Sequence, residues 1–307
     1  MKDLKYAIIG TGAVGGYYGG RLSNIGKDVH FLYHSEYEWV KEHGLKVESV
    51  KGDFHLTDMN VYSSVEDMPQ CDVVLVCLKS TQNDKLKDLL KPICHAGTVI
   101  VLVQNGIGLE AELAQHFPNH SIAGGMAFIC TFRVGKGFIR HADYGGLTVG
   151  FHQLPQNDVL CKMKEDFDAA NVSFYVADDL NLARWKKLVW NVPYNGLTVA
   201  LETTTDKLMK NPISRQLVKE MMEEVVKGAN ACGAAIEESF VEKMMESTDK
   251  MKPYSPSMKL DWEAHRAMEI RAIYQNTVRL AKEKGVELKK IEMLGQLLQF
   301  KQDCYSL

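Results

Sequence analysis

A chain of 307 residues, 46% of them hydrophobic, is long enough for two domains with substantial cores, and its composition excludes a disordered or fibrous protein. Thirty-six basic against thirty-nine acidic side chains give a formal net charge of −3, and no basic block or tail favours a nucleic-acid or membrane surface. The default partner is therefore a small molecule.

The chain opens with an apolar run, Tyr6-Ala7-Ile8-Ile9, that empties into Gly10-Thr11-Gly12-Ala13-Val14-Gly15. This is a dinucleotide fingerprint in context: a strand, then GxGxxG, then a helical pattern from Val14 to Ile25 with Gly26 as its stop. Gly10 permits the tight turn, Gly12 lets backbone approach a pyrophosphate, and Gly15 lets the helix pack on the strand, so phosphates meet a helix N-terminus. Asp28-Val29-His30-Phe31-Leu32-Tyr33 then reads as a second strand and completes one βαβ unit.

Two further apolar runs, Asp72 to Leu78 and Thr98 to Val103, have the continuous character of parallel strands covered on both faces. Each ends in a polar cluster, Lys79-Ser80-Thr81-Gln82 and Gln104-Asn105-Gly106, at the carboxyl end where ligands of open α/β sheets bind. From about Ser121 to Phe151, glycine and β-formers predict antiparallel additions to the sheet, followed by a helix over Asn157 to Ala170 and a strand over Val172 to Val176. Beyond Asp178-Asp179 the pattern is helical to the end, with long stretches such as Ser214 to Cys232 and Met258 to Lys284. Residues 1–178 are thus expected to form an α/β Rossmann-type N-terminal domain that binds the dinucleotide. Residues 179–307 should form an all-α C-terminal domain.

The seven cysteines are scattered, form no CxxC and fall largely in apolar runs, as reduced, mostly buried thiols of a cytoplasmic protein would. The start, Met1 to Lys5, leads into a strand too short for a signal-peptide core, and no apolar run approaches the roughly 18 residues of a membrane span.

The richest chemistry outside the glycine loop is Trp185-Lys186-Lys187-Leu188-Val189-Trp190-Asn191-Val192-Pro193-Tyr194-Asn195. Lys187, Asn191 and Asn195 at i, i+4 and i+8 set an ammonium and two carboxamides along one helical face, which Pro193 is placed to bend. Such a stripe also reads as a solvated polar face. Reduction of a ketone by hydride, however, develops negative charge on oxygen, which a nearby ammonium stabilises and protonates. A second cluster, Ser255-Pro256-Ser257 with Glu269 twelve residues after Ser257, reads as one serine-capped helix carrying both Ser257 and Glu269. A capped helix with a surface glutamate has the same pattern. His116 and His120 have i, i+4 spacing, but Phe117-Pro118-Asn119 breaks the helix a metal pair requires, so no metal site is expected. No GxSxG, HExxH or P-loop occurs to support a hydrolase.

The order of these motifs resembles the ketopantoate reductase family over nearly the whole chain. The matching elements are Gly10 to Gly15, Leu78-Lys79 with Gln82, Gln104-Asn105-Gly106-Ile107-Gly108, Trp185 to Leu188 with Asn191 and Asn195, and Ser257-Met258 with Asp261 and Glu269. The resemblance implies NADPH-dependent reduction of 2-dehydropantoate to pantoate, the substrate lying between the two domains. By residue, it implies that Lys187 is the general acid for the C2 oxygen, that Glu269 orients the reacting groups beside the cofactor, and that Asn191, Asn195 and Ser257 contact substrate. It also implies that Lys79, Asn105 and Cys130 border the cofactor, Asn105 near the nicotinamide and substrate, and Cys130 through its backbone.

Two departures from the family bear on specificity. Tyr33-His34-Ser35 stands where the family has an arginine for the NADP 2′-phosphate. His34 and Ser35 can hydrogen-bond a phosphate but lack arginine's fixed charge, so a weaker preference for NADPH is expected. No acidic residue closes that strand for an NAD ribose either, which favours NADP(H). Beyond Asn195, where the family often has another asparagine, this chain has Thr203-Thr204-Thr205-Asp206. Two alternatives stay open on the sequence: a reductase of another 2-oxo acid on the same scaffold, and a non-catalytic NADP(H) sensor. The amphipathic segment Ile291 to Lys301 has a face that suits either the core or a second subunit of a homodimer.

Overall fold

The computed structural model describes residues 3–251, 253 and 255–304. Met1 and Lys2, where the expected N-terminal stretch begins, and the final residues of the 179–307 segment lie outside them.

Among the described residues, ten strands form one sheet: β1 (Lys5–Ile9), β2 (Asp28–Leu32), β3 (Leu45–Ser49), β4 (Phe54–Leu56), β5 (Asn60–Tyr62), β6 (Cys71–Val76), β7 (Cys94–Leu102), β8 (Ser121–Gly135), β9 (Phe138–Gln153) and β10 (Phe174–Val176). The order is β4-β3-β9-β8-β7-β6-β1-β2-β5, with β10 added beside β9. Strands β1, β2, β5, β6 and β7 are parallel. Their sequences explain this: β1 and β6 run almost wholly buried, as strands covered on both faces must. Five helices accompany the sheet: α1 (Ala13–Asn24), α2 (Tyr37–His43), α3 (Leu86–Leu90), α4 (Leu109–His116) and α5 (Asn157–Ala169). The expected antiparallel addition holds for the β8–β9 hairpin. The first residues of β8 instead extend the parallel sheet, with Val99 to Leu102 registered on Ser121 to Gly124.

The remaining helices are α6 (Leu180–Ala200), α7 (Thr205–Lys210), α8 (Pro212–Ala231), α9 (Ser239–Asp249), α10 (Ser257–Glu263), α11 (Asn276–Glu283) and α12 (Lys289–Cys304). They enclose a separate core built around Trp185, Leu188, Val192, Met221, Val225 and Tyr274. Among the described residues no helix is long and apolar enough to cross a membrane.

The expected long helix from Met258 to Lys284 is broken. It comprises α10, an irregular stretch, a π-helical turn over Arg271–Gln275, and α11. The break is a left-handed helix end: His265 sits at φ 51° while Arg266 N–H donates to Asp261 O (2.8 Å) and His265 N–H to Trp262 O (3.0 Å). The Arg266 guanidinium then pairs with the Asp261 carboxylate at 3.0 Å, fixing the turn from outside. Ser257 and Glu269 therefore do not share a helix, contrary to the sequence reading.

The chain divides into two compact units, one of residues up to Gln104 plus Leu109–Leu180, the other of Asn105–Gly108 plus residues from Asn181 onward. The transfer of Asn105–Gly108 to the helical unit has a specific cause. Ile107 N–H donates to Ala272 O at 3.0 Å, and Asn276 Nδ2 donates to Ile107 O at 2.8 Å in a buried site. Gly106 makes this approach feasible: its φ is +97°, and an added Cβ would stand 2.4 Å from Ala272 O. Gly106→Ala is thus expected to destabilise the chain by about 2 kcal/mol or more, from left-handed strain and backbone collision together. Thermal or urea unfolding equal to wild type would contradict this packing.

Candidate active site

The first unit builds its site from glycines. Gly10 (φ +96°) lies so close to the turn after β6 that a Cβ would meet Leu78 N at 2.4 Å. Gly15 packs α1 on the strand, its would-be Cβ 2.4 Å from Gly10 O and 3.0 Å from both Cys77 Cβ and Ile8 Cγ2. Gly12 is the reverse case: it is the N-cap of α1, and a Cβ there would have nothing within 4 Å. Close packing at Gly10 and Gly15 with open space at Gly12 is the cradle a pyrophosphate requires, and Ala13 and Val14 place free backbone N–H groups of the first turn beside it. The residues present therefore fit a dinucleotide.

Thr11 Oγ1 donates to Leu32 O at 2.7 Å, tying this loop to the end of β2, where His34 follows, exposed to solvent. Glu36, the nearest acid after β2, is buried and committed elsewhere. Its carboxylate pairs with Arg133 at 2.8 Å and accepts from Gly137 N–H at 3.2 Å. After β6, half-buried Lys79 begins a 3₁₀ turn. Gln104 holds that turn by donating to Leu78 O at 2.8 Å and exchanging two amide hydrogen bonds with Asn83. Cys130 is half-buried on β8 opposite Asp143, and burial raises its thiol pKa, so it has no thiolate character.

In the second unit α6 runs unbroken through Pro193, so Lys187, Asn191 and Asn195 do occupy one stripe. This is no solvated face: Asn191 and Asn195 are 5% and 1% exposed. The Lys187 side chain is half-buried as a whole, with its ammonium end enclosed by protein. That enclosure pushes its pKa down to about 7; the positive charge of Arg184 adds to the shift, and Glu269 opposes it.

The loop taken up by this unit completes the cluster. Asn191 Nδ2 reaches Asn105 Oδ1 at 3.5 Å, and Asn105 Nδ2 reaches Glu269 Oε2, also at 3.5 Å. Lys187, Asn191, Asn105 and Glu269, from three separated segments, thus converge on one place. The long amide contacts leave room to rearrange when a ligand arrives. Ser257 stands half-buried at the first position of α10, which is not serine-capped as the sequence suggested. The N-cap is Pro256, without a side-chain cap, and Asn195 Oδ1 serves instead, accepting from Met258 N–H at 3.2 Å. Asn195 and Ser257 are thereby brought together, while Asn195 has its carboxamide oxygen engaged within the protein. Among the described residues no group of three or more His, Cys, Asp or Glu is arranged to hold a metal ion.

Arg184 escaped the sequence reading, although it lies three residues before Lys187 on the same helical face, a signal available from spacing alone. Tyr274 and Asn276 also escaped it, because their roles depend on contacts more than eighty residues away in sequence.

An open glycine cradle on a parallel-rich sheet, with a separate helical unit carrying a lysine tuned to neutrality, defines a nicotinamide-dependent oxidoreductase. The family model for ketopantoate reductase PanE/ApbA matches residues 6–153, and that for its C terminal part matches residues 179–302. A 2-dehydropantoate 2-reductase of Nostoc sp. is 46% identical over 305 residues, covering 98% of this chain and 96% of that protein. The crystal structure of a 2-dehydropantoate 2-reductase from Geobacter metallireducens has a TM-score of 0.93 at 39% identity, covering 96% of this chain and 99% of that one. One from Methylococcus capsulatus has a TM-score of 0.92 at 32% identity, covering 99% and 98%. The chain belongs to the ketopantoate reductase family.

The capping role of Asn195 gives a direct test. Asn195→Ala should cost about 1 kcal/mol of stability and speed amide exchange at Met258, whereas Asn195→Asp, which keeps the acceptor, should restore the protection of Met258. Unchanged exchange at Met258 in Asn195→Ala would rule the cap out.

Proposed function

We propose that this protein reduces the C2 ketone of 2-dehydropantoate to the hydroxyl of pantoate, with NADPH as reductant. The observation that carries the reading is Lys187: a lysine enclosed beside Glu269, with its pKa near 7, is poised to hold or release a proton at neutral pH. The near full-length likeness to the Nostoc 2-dehydropantoate 2-reductase supports the choice of substrate.

In this reading the Gly10 to Gly15 loop holds the pyrophosphate, and Lys79, Asn105 and Cys130 border the coenzyme. The bound coenzyme supplies the hydride that adds to C2. Lys187 donates its proton to the C2 oxygen as negative charge develops there. Glu269 and Asn105 orient the ammonium and the coenzyme-side amide, Asn191 hydrogen-bonds the substrate, and the Ser257 hydroxyl receives its carboxylate. Asn195 acts with them, its amide N–H toward the substrate and its oxygen holding the Ser257 turn. An anionic substrate near Lys187 favours the ammonium, so binding loads the acid with its proton.

The engagement of Glu36 by Arg133 and Gly137 supports NADP(H), because it withdraws the nearest carboxylate after β2 from a ribose diol. The exposed His34 supplies a phosphate partner weaker than arginine. The free cysteines support a cytoplasmic location. Met293, Leu297 and Phe300, exposed at i, i+4 and i+7 of α12, support a homodimer over a monomer.

Oxidation of NADPH by the purified protein, followed with 2-dehydropantoate and with other 2-oxo acids, tests the assignment. Turnover should be fastest with 2-dehydropantoate and should exceed that with NADH; turnover confined to another 2-oxo acid would move the substrate. Lys187→Ala should lower kcat by about 10²- to 10⁴-fold. Because the protonated lysine is the active form, kcat/KM for reduction should hold steady at acid pH and fall as pH rises through about 7. A rate independent of pH across that range, or an active Lys187→Ala, would remove Lys187 as the acid.

A further inference from the structure

The part of α6 that carries Asn191 and Asn195 is weak as a helix. Pro193 has no N–H to give the Val189 carbonyl, and the Thr198 hydroxyl bonds back to Tyr194 O (2.6 Å) and Asn195 O (3.2 Å). Into this stretch Tyr274 inserts its hydroxyl. The hydroxyl donates to Val192 O at 2.8 Å and its own oxygen accepts from the Gly196 backbone N–H, so one phenol engages both ends of the Val192–Gly196 rung. The seat is built for it. A Cβ on Gly196 would lie 2.5 Å from the Tyr274 hydroxyl, and one on Gly295 of α12 would lie 3.0 Å from Tyr274 Cβ. The ring is 1% exposed, so the hydroxyl is a buried polar group whose partners are these backbone atoms.

Tyr274 belongs to the π-helical turn Arg271–Gln275, a rare geometry that recurs at functional sites. The same turn holds the Asn105 loop through Ala272 O, and Glu269 stands two residues before it. The Asn105 loop, the α6 stripe and Glu269 are thus referenced to a single turn. We propose that Tyr274 is a positioning residue: its hydroxyl fixes the Asn191–Asn195 stretch of α6 in register with Glu269 and Asn105, so that the amides meet the substrate where Lys187 can protonate it. This rests on the substrate reading above, and its test separates the two.

Tyr274→Phe removes one oxygen and keeps the ring. The expected result is a rise of about two- to tenfold in KM for 2-dehydropantoate, the worth of one or two hydrogen bonds, with KM for NADPH within about twofold of wild type. Amide exchange at Gly196 should accelerate as well, a readout that needs no substrate and holds even if wild type reduces a different 2-oxo acid. Loss of active protein with both KM values unchanged, or unchanged exchange at Gly196, would reduce Tyr274 to ordinary core packing and overturn the proposal. Gly196→Ala, which keeps the tyrosine while its Cβ crowds the Tyr274 hydroxyl and Leu294 Cδ2 at 2.5 Å each, should reproduce the same KM split and faster exchange, and guards against a Tyr274→Phe protein that does not fold.

Discussion

An ammonium enclosed by protein next to a guanidinium is costly to keep charged, and at Lys187 that cost sets the character of the whole site. In water a lysine holds its proton far too tightly to serve as an acid at neutral pH. Here enclosure and Arg184, three residues away on α6, work against the charge, and Glu269 works for it. Glu269, the smallest of the three influences, reaches the helix from a different segment because α10 ends at Glu263. A continuous helix through residue 269 would carry Glu269 along its own axis; the left-handed end at His265 takes the chain off that axis before Glu269 is reached.

The helical unit is accordingly organised around short polar fastenings within an apolar core. Asn276 and Ala272 take up the Asn105 loop, Asn195 caps α10, and Tyr274 braces α6 beside Pro193. Each satisfies a buried backbone group that would otherwise be left unpaired, and each also sets the position of a polar side chain facing the cluster. Stability and the placement of the cluster are here served by the same bonds. The α/β unit follows another logic: steric exclusion at Gly10 and Gly15 brings backbone together, and the space beside Gly12 stays open.

The sequence disclosed those features whose physical cause is local. The glycine loop, the buried parallel strands and the Lys187-Asn191-Asn195 stripe each follow from spacing within one element, and the structure retains them all. What escaped the sequence depends on contacts between distant segments. Ala264-His265-Arg266 contains neither glycine nor proline, so the helix end supported by the Asp261–Arg266 pair carried no breaker signal. Ser255 and Ser257 suggested a serine cap, because capping propensity is local; the actual cap, Asn195, lies 63 positions from Met258. The transfer of Asn105–Gly108 to the helical unit was equally hidden, since its partners Ala272 and Asn276 lie far along the chain.

The central claim is that Lys187 changes protonation near neutrality, and the most direct measurement is its own titration. NMR of protein carrying isotope-labelled lysine, with Lys187→Arg to assign the resonance, reads the ε-amine without reference to turnover. The account predicts a midpoint close to 7. A midpoint near the ordinary lysine value of about 10.4 would show a fully charged ammonium throughout the neutral range and contradict it.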